Sequence, residues 1–95
     1  MTMRDLLPSD FCLGQNYPDP FSRTTSIKFC VAYKTRVKLD VCNFESRIIK
    51  RLIDEEREAG TYEIEFDATG LCPGCYICIL RAGEFVATKK MLLKT

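Results

Sequence analysis

Apolar residues recur at every second position in three stretches of this chain, and this period constrains its fold more than any other feature. The alternating apolar positions are Ile27, Phe29, Val31 and Tyr33, then Val37, Leu39 and Val41, then Tyr62, Ile64 and Phe66. Successive side chains of a β-strand point to opposite faces, so this period predicts strands with one buried and one solvated face. We expect one shared interior for Ile27, Phe29, Leu39, Ile64 and Phe66.

Shorter apolar runs and turn residues complete the pattern. Further strands are predicted at residues 11–13, 47–53, 75–80 and 85–93, and the run at 75–80 is apolar enough to be covered on both faces. Residues 54–59 are charged and are predicted to form a loop. Turn residues separate the strands at 60, 68–74 and 82–84. The chain is therefore predicted to be all-β, an Ig-like or fibronectin III-like β-sandwich of about seven antiparallel strands.

The length of 95 residues predicts a single domain. We expect residues 1–10 to form a flexible N-terminal lead and residues 11–95 to form the folded domain. Two prolines at positions 18 and 20 exclude a central strand there, because each lacks a backbone N–H for the ladder. This stretch is predicted to be an ordered connector pinned by Tyr17 and Phe21, with a plain loop as the alternative.

Composition excludes several functions. The formal net charge is +1, so neither nucleic acid nor an anionic membrane is expected as a partner. Histidine is absent, which removes the commonest general base, histidine-dependent triads and histidine-ligated metal sites. No glycine-rich phosphate loop is present. We therefore predict no enzyme activity, no catalytic residue, no cofactor and no small-molecule substrate.

Targeting signals are also missing from the sequence. Residues 1–8 contain one basic residue, an early acid and an apolar run too short for a secretory signal. No stretch approaches the roughly 20 apolar residues of a membrane span. If the domain acts outside the cell, we expect it to be exported as part of a larger protein.

Six cysteines are the least usual feature, and three interpretations compete. Cys72, Cys75 and Cys78 have zinc-like spacing, but positions 75 and 78 of one strand point to opposite faces. The Cys72–Cys75 pair precedes a strand and lacks the helix N-terminus that activates redox thiols. The third interpretation is structural, with small buried thiols and at most one or two disulfides among fifteen connectivities. We favour this interpretation and predict no metal site.

Several motifs resemble one known family. They are Leu-Gly-Gln-Asn-Tyr-Pro-Asp-Pro-Phe at 13–21, Ala-Gly-Thr-Tyr at 59–62, Leu-Cys-Pro-Gly-Cys-Tyr at 71–76 and Lys-Met-Leu-Leu-Lys at 90–94. Together they resemble the C-terminal sorting domain of the type IX (Por) secretion system, which is similar in fold to the Ig-like domain of the flagellar hook-capping protein. The resemblance covers about residues 11–95.

The chain also departs from that family's pattern. Asp19 replaces the usual asparagine, and the turn at residues 45–47 lacks its usual glycine, so we expect a distorted turn there. Cysteine occupies positions 42, 75 and 78, where the family has aliphatic or aromatic residues. These departures affect the expected packing rather than the expected fold.

The resemblance implies a non-catalytic sorting and cell-surface attachment domain of a larger exported protein. It implies recognition by the outer-membrane secretion machinery, removal by a surface sortase, and a location in the medium or on the outer-membrane surface. The implied recognition residues are Lys89, Lys90, Met91, Leu92, Leu93 and Lys94. The implied structural signature residues are Gln15, Asn16, Tyr17, Pro18, Pro20, Phe21, Gly60, Leu71, Gly74 and Tyr76.

Two further expectations concern the last strand. A terminal strand offers an open edge to which a partner or a second copy of the chain can add a strand, which predicts edge recognition or an edge-strand dimer. The alternative is that its lysines only keep the edge soluble. For the whole domain, the alternative function is a generic Ig-like binding or hook-cap-like assembly scaffold.

Overall fold

Residues 10–94 are described by a computed structural model, in which seven strands form two sheets. The strands are β1 Cys12–Leu13, β2 Thr24–Val31, β3 Thr35–Cys42, β4 Ile48–Arg57, β5 Gly60–Asp67, β6 Gly74–Ala82 and β7 Phe85–Leu93. One sheet has the order β1-β2-β5 and the other β4-β3-β6-β7, with every strand pair antiparallel. The predicted all-β sandwich is confirmed, whereas most of the predicted flexible lead lies outside the described residues.

The position of β4 distinguishes this sandwich from an immunoglobulin constant domain. There, the fourth strand joins the sheet of the first two strands. Here, β4 pairs with β3 over its whole length and so belongs to the other sheet.

Within the described residues no helix is long and apolar enough to cross a membrane.

The core lies between the two sheets and is built from the alternating positions. Phe29, Leu39 and Phe66 are fully buried, and Ile27 is almost so. Ile64 is only partly buried, because β5 is an edge strand of the smaller sheet. Burying a large apolar side chain contributes about 1.5–3 kcal/mol, so this shared interior supplies most of the driving force for folding.

The predicted loop at residues 54–59 is wrong for residues 54–57, because β4 continues to Arg57, and only residues 58 and 59 connect it to β5. Acidic residues at 54–58 lie close to basic residues in β3 and in the turn that precedes β3. Arg36 donates to Asp54 at 2.9 Å, and the Lys34 ammonium lies 3.6 Å from Glu56 and 3.5 Å from Glu58. Cross-strand opposite charges favour pairing. An exposed edge strand of this kind needs no apolar alternation, which is why the sequence pattern missed it.

The turn between β3 and β4 has the distortion that the missing glycine predicts. Ser46 takes a positive φ of 66°, which is uncommon for a residue with a side chain. The Asn43 side-chain oxygen accepts hydrogen bonds from the backbone N–H of Glu45 at 2.9 Å and Arg47 at 3.0 Å. The register then shifts twice between β3 and β4, so the turn is accommodated by bulges.

The prediction that residues 75–80 are covered on both faces is wrong. Tyr76, Cys78 and Leu80 point into the core, but Ile77 and Ile79 on the other face are only half-buried. In the described part of the chain, no second layer packs on the outer face of the four-stranded sheet. The apolar run therefore combines a core-facing row with a partly solvated row.

A buried carboxylate lies within that outer face. Asp40 is fully buried in β3, and its two oxygens accept hydrogen bonds from Arg51 at 2.8 and 3.3 Å. Arg81 approaches the same carboxylate at 3.7 Å. A buried carboxylate without such partners costs several kcal/mol, so the two arginines are what allow Asp40 in this position.

Replacing Arg51 with alanine tests this ion pair. Arg51→Ala removes both short hydrogen bonds and leaves only Arg81 beside a buried charge. We expect the free energy of unfolding to fall by about 2–3 kcal/mol, measured by urea denaturation. Arg47→Ala, at an exposed arginine in the adjacent turn, is the control and should change stability by less than about 0.5 kcal/mol. Equal losses in the two variants would contradict the assignment.

Candidate recognition surface

Five of the six predicted recognition residues lie on β7, an edge strand whose neighbour in the sheet is β6, and Lys94 directly follows it. Strand geometry divides them between two faces. Met91 and Leu93 are buried in the core, whereas Lys90, Leu92 and Lys94 point outward. Lys89 is half-buried on the inward-facing side. A partner that meets the folded domain can therefore touch only half of the predicted set directly.

Residues 15–21, which we call the strap, run along the outer edge of β7. Phe21 N–H donates to the Leu92 carbonyl at 3.0 Å, and Lys94 N–H donates to the Phe21 carbonyl at 2.8 Å. The Gln15 amide donates to the Lys90 carbonyl at 2.8 Å, and Leu92 N–H donates to an Asp19 carboxylate oxygen at 3.0 Å. The outward backbone groups of β7 are thus hydrogen-bonded from the Lys90 carbonyl to the Lys94 N–H.

The strap is held on its other side by the three-stranded sheet. Tyr17 and Ser26 exchange two backbone hydrogen bonds of 2.9 Å. The buried Asn16 amide donates to the Thr25 hydroxyl at 3.0 Å and to the Pro18 carbonyl at 3.2 Å. The Thr25 hydroxyl in turn donates to the Pro18 carbonyl at 2.8 Å. The strap therefore bridges the two sheets along one side of the sandwich.

The aromatic residues of the strap differ in their roles. Phe21 is 1% exposed and packs edge-on against Phe66, with ring centroids 6.1 Å apart. Tyr17 was predicted to pin the connector as well, but its side chain is 81% exposed and only its backbone holds the strap. Both X–Pro peptide bonds of the strap are cis. The ordered connector is confirmed, with Phe21 as its one aromatic anchor.

The strap corrects the expectation of an open edge at the end of β7. β-Augmentation requires unpaired backbone groups along the receiving strand. Between Lys90 and Lys94 those groups are already bonded to the strap. An incoming strand would have to displace it, so an edge-strand dimer through this stretch has no free backbone to use.

The outward side chains of β7 form an apolar surface flanked by lysines. Leu92, which is 42% exposed, lies opposite Cys75 of β6, and Lys90 lies opposite the half-buried Ile77. We call Lys90, Leu92, Lys94 and these two β6 neighbours the lysine–leucine face. It combines apolar area with fixed positive charge, which suits a protein surface of complementary character.

The remaining signature residues shape turns rather than this face. Tyr76 is buried, and its hydroxyl donates to the Cys72 carbonyl at 2.5 Å, which closes the turn before β6. Gly74 begins β6 and Gly60 begins β5, directly opposite Val31. Leu71 is half-buried and packs against the core. These contacts favour a structural role for all four residues.

The cysteines are free thiols, but only two of them are buried as predicted. Cys42 and Cys78 are buried, Cys30 is half-buried, and the exposed ones are Cys12, Cys72 and Cys75. Burial, and then the charges of Asp40 and Cys42, raise the pKa of Cys78 to about 12. Within residues 10–94, no three acidic, histidine or cysteine side chains are grouped so that they could hold a metal ion.

These observations define a small all-β sandwich with a strapped terminal strand and a lysine-flanked apolar face beside it. The family model described as "Secretion system C-terminal sorting domain" matches residues 15–94. The chain therefore belongs to the sorting domains of type IX secretion, whose members are recognised by that secretion machinery and mark secreted or cell-surface proteins. No curated protein matches the chain.

Exchanging Asp19 tests whether the strap protects β7. Asp19→Ala removes the acceptor of the Leu92 N–H, whereas Asp19→Asn retains a side-chain oxygen. We expect faster hydrogen exchange at the Leu92 amide in the alanine variant and a stability loss of about 1 kcal/mol, with near-native values for asparagine. NMR-detected exchange measures both, with the Ile77 amide in the sheet interior as reference. Unchanged exchange at Leu92 in Asp19→Ala would contradict the strap's role.

Proposed function

We propose that this chain is the non-catalytic sorting domain of a larger exported protein and that the secretion machinery recognises it through the lysine–leucine face. The observation that carries the proposal is the strap. Because it occupies the backbone edge of β7, the groups left for a partner are the outward side chains of Lys90, Leu92 and Lys94. The partner then contacts side chains on a folded surface and does not add a strand to the sheet.

Charge and exposure support this assignment. Lys90 and Lys94 flank Leu92 at the end of the chain, and half-buried Ile77 extends the apolar area beneath them. Lysines at an interface rim accelerate encounter with an acidic surface, while the apolar centre supplies most of the affinity. Lys89, Met91 and Leu93 contribute through packing, since they point towards the core.

Surface display of a reporter tests the recognition face. The full chain is fused behind an exported reporter in a host with type IX secretion, either unchanged or carrying Lys90→Gln, Leu92→Ser and Lys94→Gln. These changes leave the strap intact, because all its bonds to β7 use the backbone of that strand. We expect displayed reporter to fall by roughly tenfold or more, the effect of about 1.4 kcal/mol in recognition.

The matched control is Lys28→Gln, an exposed lysine on the opposite sheet. It should leave display unchanged, and thermal unfolding of the purified variants should show that all of them fold. Equal display of the triple variant and the unchanged fusion would refute recognition through this face.

Attachment to the cell surface is the finer part of the proposal. We infer that a surface sortase removes the domain and that the cargo remains attached. Support comes from the family, whose members mark secreted or cell-surface proteins. A fusion with one tag on the cargo and another after Lys94 should yield surface material with the cargo tag alone. Surface material that keeps both tags would show that the domain is not removed.

A further inference from the structure

Two of the exposed or half-exposed cysteines lie directly opposite each other in the three-stranded sheet. Cys12 in β1 is the register partner of Cys30 in β2. Their neighbours Leu13 and Phe29 point into the core. Because successive side chains alternate, both thiols project from the outer face of this sheet, away from the core.

The backbone spacing of this pair suits a disulfide. Gly14 N–H donates to the Lys28 carbonyl at 2.9 Å, two positions along the ladder from Cys12 and Cys30. In antiparallel sheets, residue pairs that exchange backbone hydrogen bonds alternate with pairs that do not. Because Gly14 and Lys28 are a hydrogen-bonded pair, Cys12 and Cys30 are one as well, and their Cα atoms lie about 5.5 Å apart. Disulfides bridge Cα separations of about 4.4–6.8 Å, most often near this value.

The two thiols also interact with each other. Desolvation, followed by the hydrogen bond and charge of Cys30, raises the pKa of Cys12 to about 11. Cys30 has a second polar neighbour in Thr61, whose hydroxyl lies 3.9 Å from its sulfur. The pair thus lies within a row of polar side chains that crosses the sheet, where both sulfurs are accessible to an oxidant.

We propose that Cys12 and Cys30 form a cross-strand disulfide once the parent protein leaves the reducing cytosol. This proposal takes from the sorting assignment only that the protein is exported, since disulfides persist in oxidising compartments. The reaction needs an oxidant that itself carries a disulfide, which is either a small molecule or an oxidoreductase.

Disulfide exchange with this oxidant takes two steps. One cysteine thiolate attacks the oxidant's disulfide, forming a mixed disulfide and releasing one thiolate. The second cysteine thiolate then displaces the remaining half of the oxidant. Two thiol protons are lost from the domain, and two electrons reduce the oxidant's disulfide to two thiols. The high pKa of Cys12 makes its thiolate scarce at neutral pH, so we expect uncatalysed oxidation to be slow there.

The disulfide would act on the strap. β1 has only two residues, and the strap begins three residues after Cys12. A bond between Cys12 and Cys30 ties β1 to the centre of the sheet and limits how far the strap can lift from β7. The oxidised domain should therefore keep the edge of β7 closed more firmly than the reduced domain.

Peptide mapping tests the pairing directly. The purified full chain is reduced, then exposed to glutathione disulfide at about pH 8.5, where thiolates are more abundant. Trypsin cleaves after Arg4, Arg23, Lys28 and Lys34, so Cys12 and Cys30 fall in separate peptides, 5–23 and 29–34. We expect these two peptides to be joined in the main product. Recovery of Cys12 or Cys30 mainly as glutathione adducts, or joined to Cys72 or Cys75, would overturn the pairing.

Thermal unfolding gives an independent measure. In a Cys72→Ser/Cys75→Ser background, which removes the competing exposed thiols, oxidation should raise the Tm by roughly 10 °C. Adding Cys30→Ser should abolish that shift. An equal Tm before and after complete oxidation would contradict a disulfide that fastens the strap. Both measurements use purified protein, so their failure would leave the recognition proposal untouched, and a failed display assay would not affect them.

Discussion

The hydrogen bonds between the strap and β7 are the interactions on which the arrangement of the last strand depends. A terminal strand with unpaired backbone groups invites pairing with any other chain. Here Phe21, Gln15 and Asp19 satisfy those groups from Lys90 to Lys94. Burial of Phe21 fixes the strap in place. The motif at residues 15–21 therefore covers the backbone edge of the last strand. The outward side chains of that strand stay exposed.

Electrostatics stabilise the opposite edge of the four-stranded sheet. β4 carries consecutive acids that meet Lys34 and Arg36, and Arg51 satisfies the buried Asp40. Exposed ion pairs contribute little singly, but the buried carboxylate makes its arginine partners essential. One edge of the sheet is thus covered by the strap, and the other is protected by charged side chains.

The sequence predicted most of the fold and less of the site. Strict alternation identified β2, β3 and β5, because the alternating apolar residues of each strand face the core, although β3 also buries Asp40 and Cys42 on its other face. It failed at residues 54–57, where an edge strand exposes nearly every side chain and cross-strand charges, invisible to periodicity, decide the structure. The prediction named residues 89–94 as one set although strand alternation divides them between two faces. The strap's position on β7 depends on contacts over 70 residues apart in sequence, which periodicity does not report.

The identity of residue 19 shows how the strap and the lysine–leucine face are linked. An oxygen acceptor at this position is required, because the Leu92 N–H points outward and the strap offers no backbone carbonyl there. Aspartate supplies that acceptor as well as the usual asparagine, and its second oxygen also accepts from Gln15 at 3.2 Å. The substitution therefore preserves the closed edge. It also places a carboxylate at the edge of the strand that carries Lys90, because the same side chain accepts the Leu92 N–H at 3.0 Å.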